Sequence, residues 1–184
     1  MESVRREAVP QERLRHKEKG AHRLSLCASR GVLMDSFISK YNTFLADFGE
    51  GRKMVLSTSE NDKVSSRMMS VVLINGEFYF QTDIMLRKYS QLAANPNAAL
   101  CIDNIQIEGI CREIGHPLDN PDFCSKFQKC FKGSFDAYTA LKNERLFAVK
   151  PLFIERWQYV DGVPHIETYD IENMRYGLEK YITE

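Results

Sequence analysis

Two dipeptides, Asn75-Gly76 and Asp161-Gly162, constrain the fold of this chain most, because both favour tight β-hairpin turns. Each supplies two residues that tolerate positive φ, as a two-residue hairpin turn requires. Residues 64–74 and 78–82 flank the first dipeptide, and both segments are rich in β-branched and aromatic side chains. Strands joined by so short a turn pair antiparallel. The sequence therefore predicts an antiparallel sheet.

Other segments with strand or helix periodicity lie on both sides of this hairpin. Further strands are predicted at 54–57, 98–102, 105–114, 147–160 (interrupted near Pro151) and 165–169. Helices are predicted at 35–48, 85–94, 121–130, 135–146 and 173–181. This order favours a mainly β (α+β) fold, in which an antiparallel sheet closes into a barrel with helices on its outside.

Composition narrows the classes of partner. The chain has 25 basic and 25 acidic side chains, a balance that indicates neither nucleic acid nor a membrane surface as partner. No apolar run approaches the roughly 18 residues of a membrane span, and the N-terminus lacks the apolar stretch of a signal peptide. We therefore expect a cytoplasmic protein.

The five cysteines are irregularly spaced, which argues against a disulfide framework. A group of four potential metal ligands is more widely spaced than in structural zinc sites: Cys111, His116, Cys124 and Cys130. Thiols in a reducing compartment are the favoured interpretation, and no metal site is predicted.

Residues 1–33 differ in composition from the rest of the chain, with many basic and few large apolar side chains. Such a segment buries little surface, so a flexible N-terminal extension is predicted, followed by one domain over 34–184. Met34 directly precedes the first predicted helix. A translation start at Met34 is the favoured explanation, and a basic arm that contacts a partner is the alternative.

A small group of cationic and hydroxyl side chains surrounds the first hairpin. Arg67 lies in a strand that otherwise suits burial, Thr82 ends the next strand, and Arg87 and Lys88 begin the following helix. Guanidinium, ammonium and free helix N–H groups together suit a phosphate monoester. The alternative is that Arg87 and Lys88 are solvated and that Arg67 pairs with Glu77 or Asp83.

The order of these segments resembles the pyridoxamine 5′-phosphate oxidase family of FMN-binding split β-barrels. The resemblance rests on Leu56-Ser57-Thr58, Ser66-Arg67-Met68-Met69, Phe78-Tyr79-Phe80-Gln81-Thr82, Arg87-Lys88, Gln91-Leu92, Asn95-Pro96, residues 105–109 and residues 151–158. It implies a six-stranded antiparallel split barrel of Greek-key type. It also implies a homodimer with FMN at the subunit interface.

The resemblance also implies roles for individual residues. Arg67 and Lys88 would hold the FMN phosphate, assisted by Arg87 and Thr82. The main chain of three residues would run along the flavin ring: Met68, Met69 and Ser70. Gln81 replaces a frequent tyrosine. Asn104 and Trp157 would contact the flavin of the neighbouring subunit.

Several positions depart from the family pattern. Val72 stands where the vitamin B6 oxidase has a lysine, Val163 replaces an arginine, and Glu167 replaces an arginine that helps to hold the flavin. Loss of phosphate-binding cations predicts a substrate other than pyridoxine 5′-phosphate. His165 remains the best candidate for a catalytic proton donor.

The function predicted on this basis is an FMN-dependent oxidoreductase with a small-molecule substrate or electron donor. Reduced nicotinamides are possible donors, and quinones, nitro compounds or oxygen are possible acceptors. Three alternatives stay open: a flavin-storing module without turnover, a vitamin B6 oxidase, and a haem-binding relative. The last would take its axial ligand from the four histidines, His16, His22, His116 and His165.

Overall fold

Eight antiparallel strands and four α-helices make up the computed structural model, which describes residues 34–182. The predicted extension, 1–33, lies outside the described residues. The strands are β1 Gly51–Glu60, β2 Lys63–Ile74, β3 Glu77–Asp83, β4 Asn97–Ile102, β5 Ile105–Gly115, β6 Glu144–Val160, β7 Val163–Asp170 and β8 Arg175–Lys180. The helices are α1 (34–48), α2 Arg87–Ala94, α3 Pro121–Cys130 and α4 Lys132–Tyr138.

The sheet closes on itself through its longest strand. Strand order is β3-β2-β1-β4-β5-β6-β7-β8, and an additional pairing of β3 with β6 closes six strands into a barrel. Closure is possible because β6 has 17 residues, enough to pair with β3 near its start, with β5 over most of its length and with β7 near its end. The predicted mainly β fold with a six-stranded split barrel is confirmed, with β7 and β8 as two added strands.

Both predicted hairpin turns are present. Asn75 and Gly76 have φ values of 50° and 82°, and Asp161 and Gly162 have 50° and 77°. These dihedrals match the conformation that selects Asn-Gly and Asp-Gly in two-residue turns.

Two apolar clusters lie on opposite faces of the barrel wall. The interior cluster contains alternate residues of the strands, such as Leu56, Phe80 and Ile154, together with the buried side of α1. The exterior cluster lies where Phe123 and Phe127 of α3 cover the outward side chains of β2, β3 and β6. Among the described residues, no helix is long and apolar enough to cross a membrane.

A β-bulge explains the predicted interruption of β6. Gly109 pairs with Pro151 while Glu108 pairs with Phe153, so Leu152 is an extra residue between two register positions. A proline is tolerated at such a site because the hydrogen-bond ladder is already disrupted there. The strand continues through Pro151.

Two helix predictions are wrong. The segment 173–181 contains β8 (Arg175–Lys180) instead of a helix, because Asp170 Oδ1 accepts a hydrogen bond from the backbone N–H of Asn173 at 3.0 Å and the chain turns back onto β7. Residues 135–146 are helical only to Tyr138, and residues 144–146 join β6 because they pair with β3. In both places tertiary pairing overrides local helix propensity.

Candidate functional site

A cleft of about 340 Å³ lies on the outer face of β2, β3 and β6, beside α2 and α4. Six of the predicted cofactor-binding residues line it: Met68, Met69, Ser70, Gln81, Thr82 and Lys88. Cross-strand pairing explains why Met68, Ser70 and Gln81 meet, because paired residues share one face of a sheet. Met68 and Ser70 share a face with Val72, and Val72 pairs with Tyr79 two residues before Gln81. The cleft is within the size range of small-molecule sites.

Arg67 extends to the interior face next to this cleft, since it pairs with the buried Leu56. Its guanidinium donates to the hydroxyls of Thr58 (2.6 Å) and Ser65 (2.7 Å). It also donates to Oε1 of Gln91 at 2.8 Å. These acceptors are neutral, so they fix the orientation of the guanidinium and leave its charge uncompensated.

The alternative pairing of Arg67 with Glu77 or Asp83 is wrong. The Glu77 carboxylate instead accepts from Arg112 at 2.5 Å and from the Tyr79 hydroxyl at 3.2 Å. Asp83 Oδ1 accepts from the backbone N–H of Met85 at 2.7 Å.

Two of the cations at this site, Arg67 and Lys88, have a lowered pKa because of burial and a neighbouring positive charge. Burial lowers the pKa of Arg67, and the charge of Arg87 lowers it further. Burial also lowers the pKa of Lys88, the charge of Arg67 adds to this effect, and Glu144 and Asp83 oppose it. None of the ion pairs among the described residues includes Arg67, Arg87 or Lys88. An anion bound between them would relieve this repulsion.

Helix α2 adds backbone donors to the same place. Its N-cap residue is Leu86, which makes no side-chain capping hydrogen bond, and the first turn has no acidic residue. The first N–H groups of a helix have no partner within the helix, and an anion can accept from them.

Gln81 and Thr82 are buried in the wall of the cleft. Oε1 of Gln81 accepts a 2.9 Å hydrogen bond from the hydroxyl of Thr139, just after α4. This bond fixes the amide of Gln81, so its NH₂ group is the part left to meet a bound molecule.

The remaining predicted site residues lie elsewhere. Nδ2 of Asn104 donates to the backbone oxygen of Trp157, and the N–H of Trp157 donates to the oxygen of Asn104 at 3.1 Å. The Trp157 ring packs edge-on against Tyr181, with 4.9 Å between ring centroids. Trp157 and the cleft residue Glu144 stand near opposite ends of β6, separated by roughly 40 Å of extended strand.

His165 is not among the residues that line the cleft. It pairs with Gln158, one residue beyond Trp157, so it faces the other side of the sheet. Its Nδ1 lies 2.9 Å from the backbone oxygen of Val163.

The structure explains two of the departures from the family pattern. Val72 is fully buried under Phe123 and Phe127, where a lysine would lose its solvation. Glu167 is also buried, and it pairs with Arg156 at 2.6 Å and accepts from the Tyr176 hydroxyl at 3.0 Å. The Glu167 side chain on β7 therefore links β6 and β8 through these two contacts.

Sequence reasoning missed several residues of the site. Lys53, Tyr138 and Glu144 line the cleft. The assignment of 135–146 to a helix concealed Glu144. Among the described residues, no group of three or more His, Cys, Asp or Glu side chains is arranged to hold a metal ion.

No protein-family model matches the chain, and no curated protein matches it. Solved structures match its fold at low sequence identity. A pyridoxamine 5′-phosphate oxidase-related, FMN-binding protein from Nostoc punctiforme is 14% identical, with a TM-score of 0.54 over 72% of this chain and 88% of that one. PhzG from Burkholderia lata, solved with tetrahydrophenazine-1-carboxylic acid, is 15% identical, with a TM-score of 0.53 over 79% and 92%.

A haem-binding protein from Mycobacterium smegmatis shares the fold as well. It is 10% identical, with a TM-score of 0.53 over 71% of this chain and 56% of that one. The fold alone therefore accommodates more than one cofactor. The chain has the split-barrel fold of the pyridoxamine 5′-phosphate oxidase-like, FMN-binding proteins.

Proposed function

We propose that this protein binds FMN and acts as a flavin oxidoreductase. The observation that supports FMN best is the group of Arg67, Arg87 and Lys88, which lie near one another and have no ion-pair partner among the described residues. A phosphate monoester dianion supplies the missing negative charge. The FMN-binding relative from Nostoc punctiforme adds support, since its fold is the same.

The residues of the cleft fit the other parts of FMN. Arg67 and Lys88 would hold the phosphate, with Arg87 and the Thr82 hydroxyl assisting. The NH₂ group of Gln81 and the main chain from Met68 to Ser70 would contact the sugar alcohol and the ring. The flavin supplies electron transfer, and the protein supplies binding, orientation and electrostatics.

A homodimer is part of this proposal. Asn104 and Trp157 are too far along the sheet from Glu144 and Lys88 for one chain to bring both groups to one flavin. A second copy can present its own Asn104 and Trp157 to the cleft. The exposed side chain of Met68, with 60% of its surface accessible, is available for such a contact.

The substrate proposed is a small molecule other than pyridoxine 5′-phosphate. Val72 and Glu167 both have internal packing roles, so neither position supplies a cation for a second phosphate. His165 remains the proposed proton donor. It lies on β7 and projects from the face of the sheet opposite to that of Trp157.

Haem binding is a second candidate because of the relative from Mycobacterium smegmatis. The histidines among the described residues are His116 and His165, and either could offer an imidazole ligand to iron. Nε2 of His116 lies 3.0 Å from the backbone oxygen of Leu141, and Nδ1 of His165 lies 2.9 Å from that of Val163. Neither residue lines the cleft, so the cleft favours flavin.

The proposal is tested by titrating FMN into the purified protein and recording absorption and flavin fluorescence. Wild type is expected to bind FMN and to show the absorption bands of the flavin at about 370 and 450 nm. The Arg67→Ala, Lys88→Ala double variant is expected to bind at least about 100-fold more weakly, since each charge-assisted contact contributes about 1.5–3 kcal/mol. Lys150→Ala, which removes an exposed cation from β6, is the matched control.

Wild type without FMN affinity, or a double variant that binds like Lys150→Ala, would contradict the cofactor assignment. A Soret band on adding haem, without flavin binding, would favour the second candidate. Anaerobic addition of NADH or NADPH then tests turnover. Bleaching of the bound flavin supports an oxidoreductase, whereas an unchanged spectrum favours a storage module.

A further inference from the structure

Glu144 is a buried carboxyl group whose side chain has no hydrogen-bond or ion-pair partner within residues 34–182. Its residue is 5% exposed, and its Oε2 atom is buried without a hydrogen-bond partner among the described residues. No ion pair among these residues includes it. Leaving a buried carboxylate oxygen unsatisfied is costly. A structural role for this side chain is therefore hard to support.

The position of Glu144 brings it to the cleft. It is the first residue of β6 and pairs with Asp83 at the end of β3, so both carboxyl groups stand on the outer face. It lines the cleft together with Thr82 and Lys88, the predicted phosphate-binding residues. A molecule held by Lys88 therefore lies next to Glu144.

We propose that Glu144 is a ligand-contacting residue whose carboxyl group becomes protonated when the anionic group of the ligand binds at Arg67 and Lys88. This inference rests on the proposed FMN binding and adds a binding residue to it. The protonated carboxyl can donate one hydrogen bond and accept another, so it suits a hydroxyl of the sugar alcohol beside the phosphate.

The charges around Glu144 determine whether its carboxyl group takes up or releases a proton when the ligand binds. Burial and the neighbouring Asp83 raise the pKa of Glu144 to about 7, while Lys88 and His116 oppose this rise. Lys53, Ser134 and Tyr138 also line the cleft. The guanidinium of Arg145 donates to the backbone oxygen of Glu144 at 2.8 Å.

A phosphate at Lys88 changes this balance. It adds negative charge near Glu144 and engages the cation that opposes the rise in pKa, so the pKa of the carboxyl rises further on binding. Near pH 7 about half of the free protein carries the ionised form, so binding takes up about 0.4 proton per FMN.

Isothermal titration calorimetry of FMN binding at pH 7, in two buffers of different ionisation enthalpy, measures this uptake. Glu144→Gln keeps the shape and hydrogen-bonding capacity of the side chain and removes its titration. Wild type is expected to take up about 0.4 proton more than Glu144→Gln. From pH 7 to 8 its Kd is expected to rise about threefold to fivefold relative to that variant. The second ionisation of the FMN phosphate affects both proteins equally and cancels in the comparison.

Two further variants complete the test. Glu172→Gln, an exposed residue after β7, is expected to behave as wild type. Asp83→Asn keeps Glu144 and removes the neighbouring charge that raises its pKa. The proton uptake is therefore expected to fall at pH 7, and the pH at which uptake is greatest is expected to be lower than in wild type. This variant gives an independent result if Glu144→Gln does not fold.

The outcomes separate the two proposals. Equal proton uptake in wild type, Glu144→Gln and Asp83→Asn, with FMN bound to each, would overturn the role of Glu144 and leave FMN binding intact. Absence of FMN binding by wild type would overturn both proposals. A difference confined to the Glu144 and Asp83 variants supports the assignment.

Discussion

At the scale of single residues, Glu144 makes the stability of the protein depend on pH. Its pKa in the folded state is about 7, above the ordinary value of 4.5 that applies to the unfolded chain. A group with a raised pKa stabilises the fold below pH 4.5, and this stabilisation is lost as the pH rises to about 7. Glu144 therefore favours the folded state least at pH 7 and above.

Glu144→Gln is expected to remove this pH dependence. At pH 8 its Tm should exceed that of wild type by about 2–4 °C, the change that ~1 kcal/mol produces in a chain of this size. This free energy is smaller than the whole shift in the pKa of Glu144 would give, because solvent at the mouth of the cleft screens the charge. Thermal unfolding from pH 5 to 8, with Glu172→Gln as control, measures the difference. Parallel curves for wild type and Glu144→Gln would contradict it.

Local pattern predicted part of the site. Thr82 and Lys88 could be assigned because strand ends and helix starts are visible in the sequence, and the structure places both in the cleft. Glu144 and the Gln91 partner of Arg67 could not, since they approach from segments distant in sequence. Gln91, which holds Arg67 from α2, is 24 residues away in sequence. Such contacts depend on how the barrel closes.

At the scale of elements, the bulge between β5 and β6 depends on Gly109. A Cβ atom at this position would lie 2.5 Å from the backbone oxygen of Lys150 and 2.8 Å from Cγ1 of Val149. The backbone must shift to admit it, and overpacking of this kind costs about 1–3 kcal/mol.

Gly109→Ala is therefore expected to lower the Tm by several degrees. Gly133→Ala in α4 is the control, because no atom lies within 4 Å of its added Cβ. It should leave the Tm unchanged or raise it slightly, since alanine favours the helix. Equal Tm values for the two variants would show that the barrel wall yields at Gly109.

The strands joined by tight turns were predictable, and β8 was not. Asn75-Gly76 fixes its hairpin through local backbone preference. The segment 173–181 contains good helix formers, such as Met174, Leu178 and Glu179. Its strand conformation comes from pairing with β7 and from the contact of Tyr176 with Glu167, which no local pattern shows.

At the scale of the whole molecule, the proposed homodimer makes each flavin site depend on two chains. One chain would contribute Arg67 and Lys88, and the other would contribute Asn104 and Trp157. Sedimentation analysis of the purified protein is expected to show a dimer. Two loss-of-function variants should then complement each other.

One double variant carries Arg67→Ala and Lys88→Ala, and the other carries Asn104→Ala and Trp157→Ala. We expect each to bind FMN poorly as a homodimer. A mixed dimer, purified through two different tags, has one cleft with all its wild-type residues. It should bind about one FMN per dimer, because every contact to that flavin is restored. No recovery in the mixed dimer would show that each flavin is bound within one chain.

The extra residue at Leu152 inverts the phase of side-chain alternation along β6. Before it, odd-numbered residues such as Phe147 and Val149 fill the barrel, whereas after it the even-numbered Ile154 does so. Trp157 would point inward without this offset. Deleting Leu152 would instead leave one continuous alternation, with Ile154 still inside the barrel and Trp157 still outside. An alignment or redesign of this chain has to count odd and even positions separately on the two sides of Pro151.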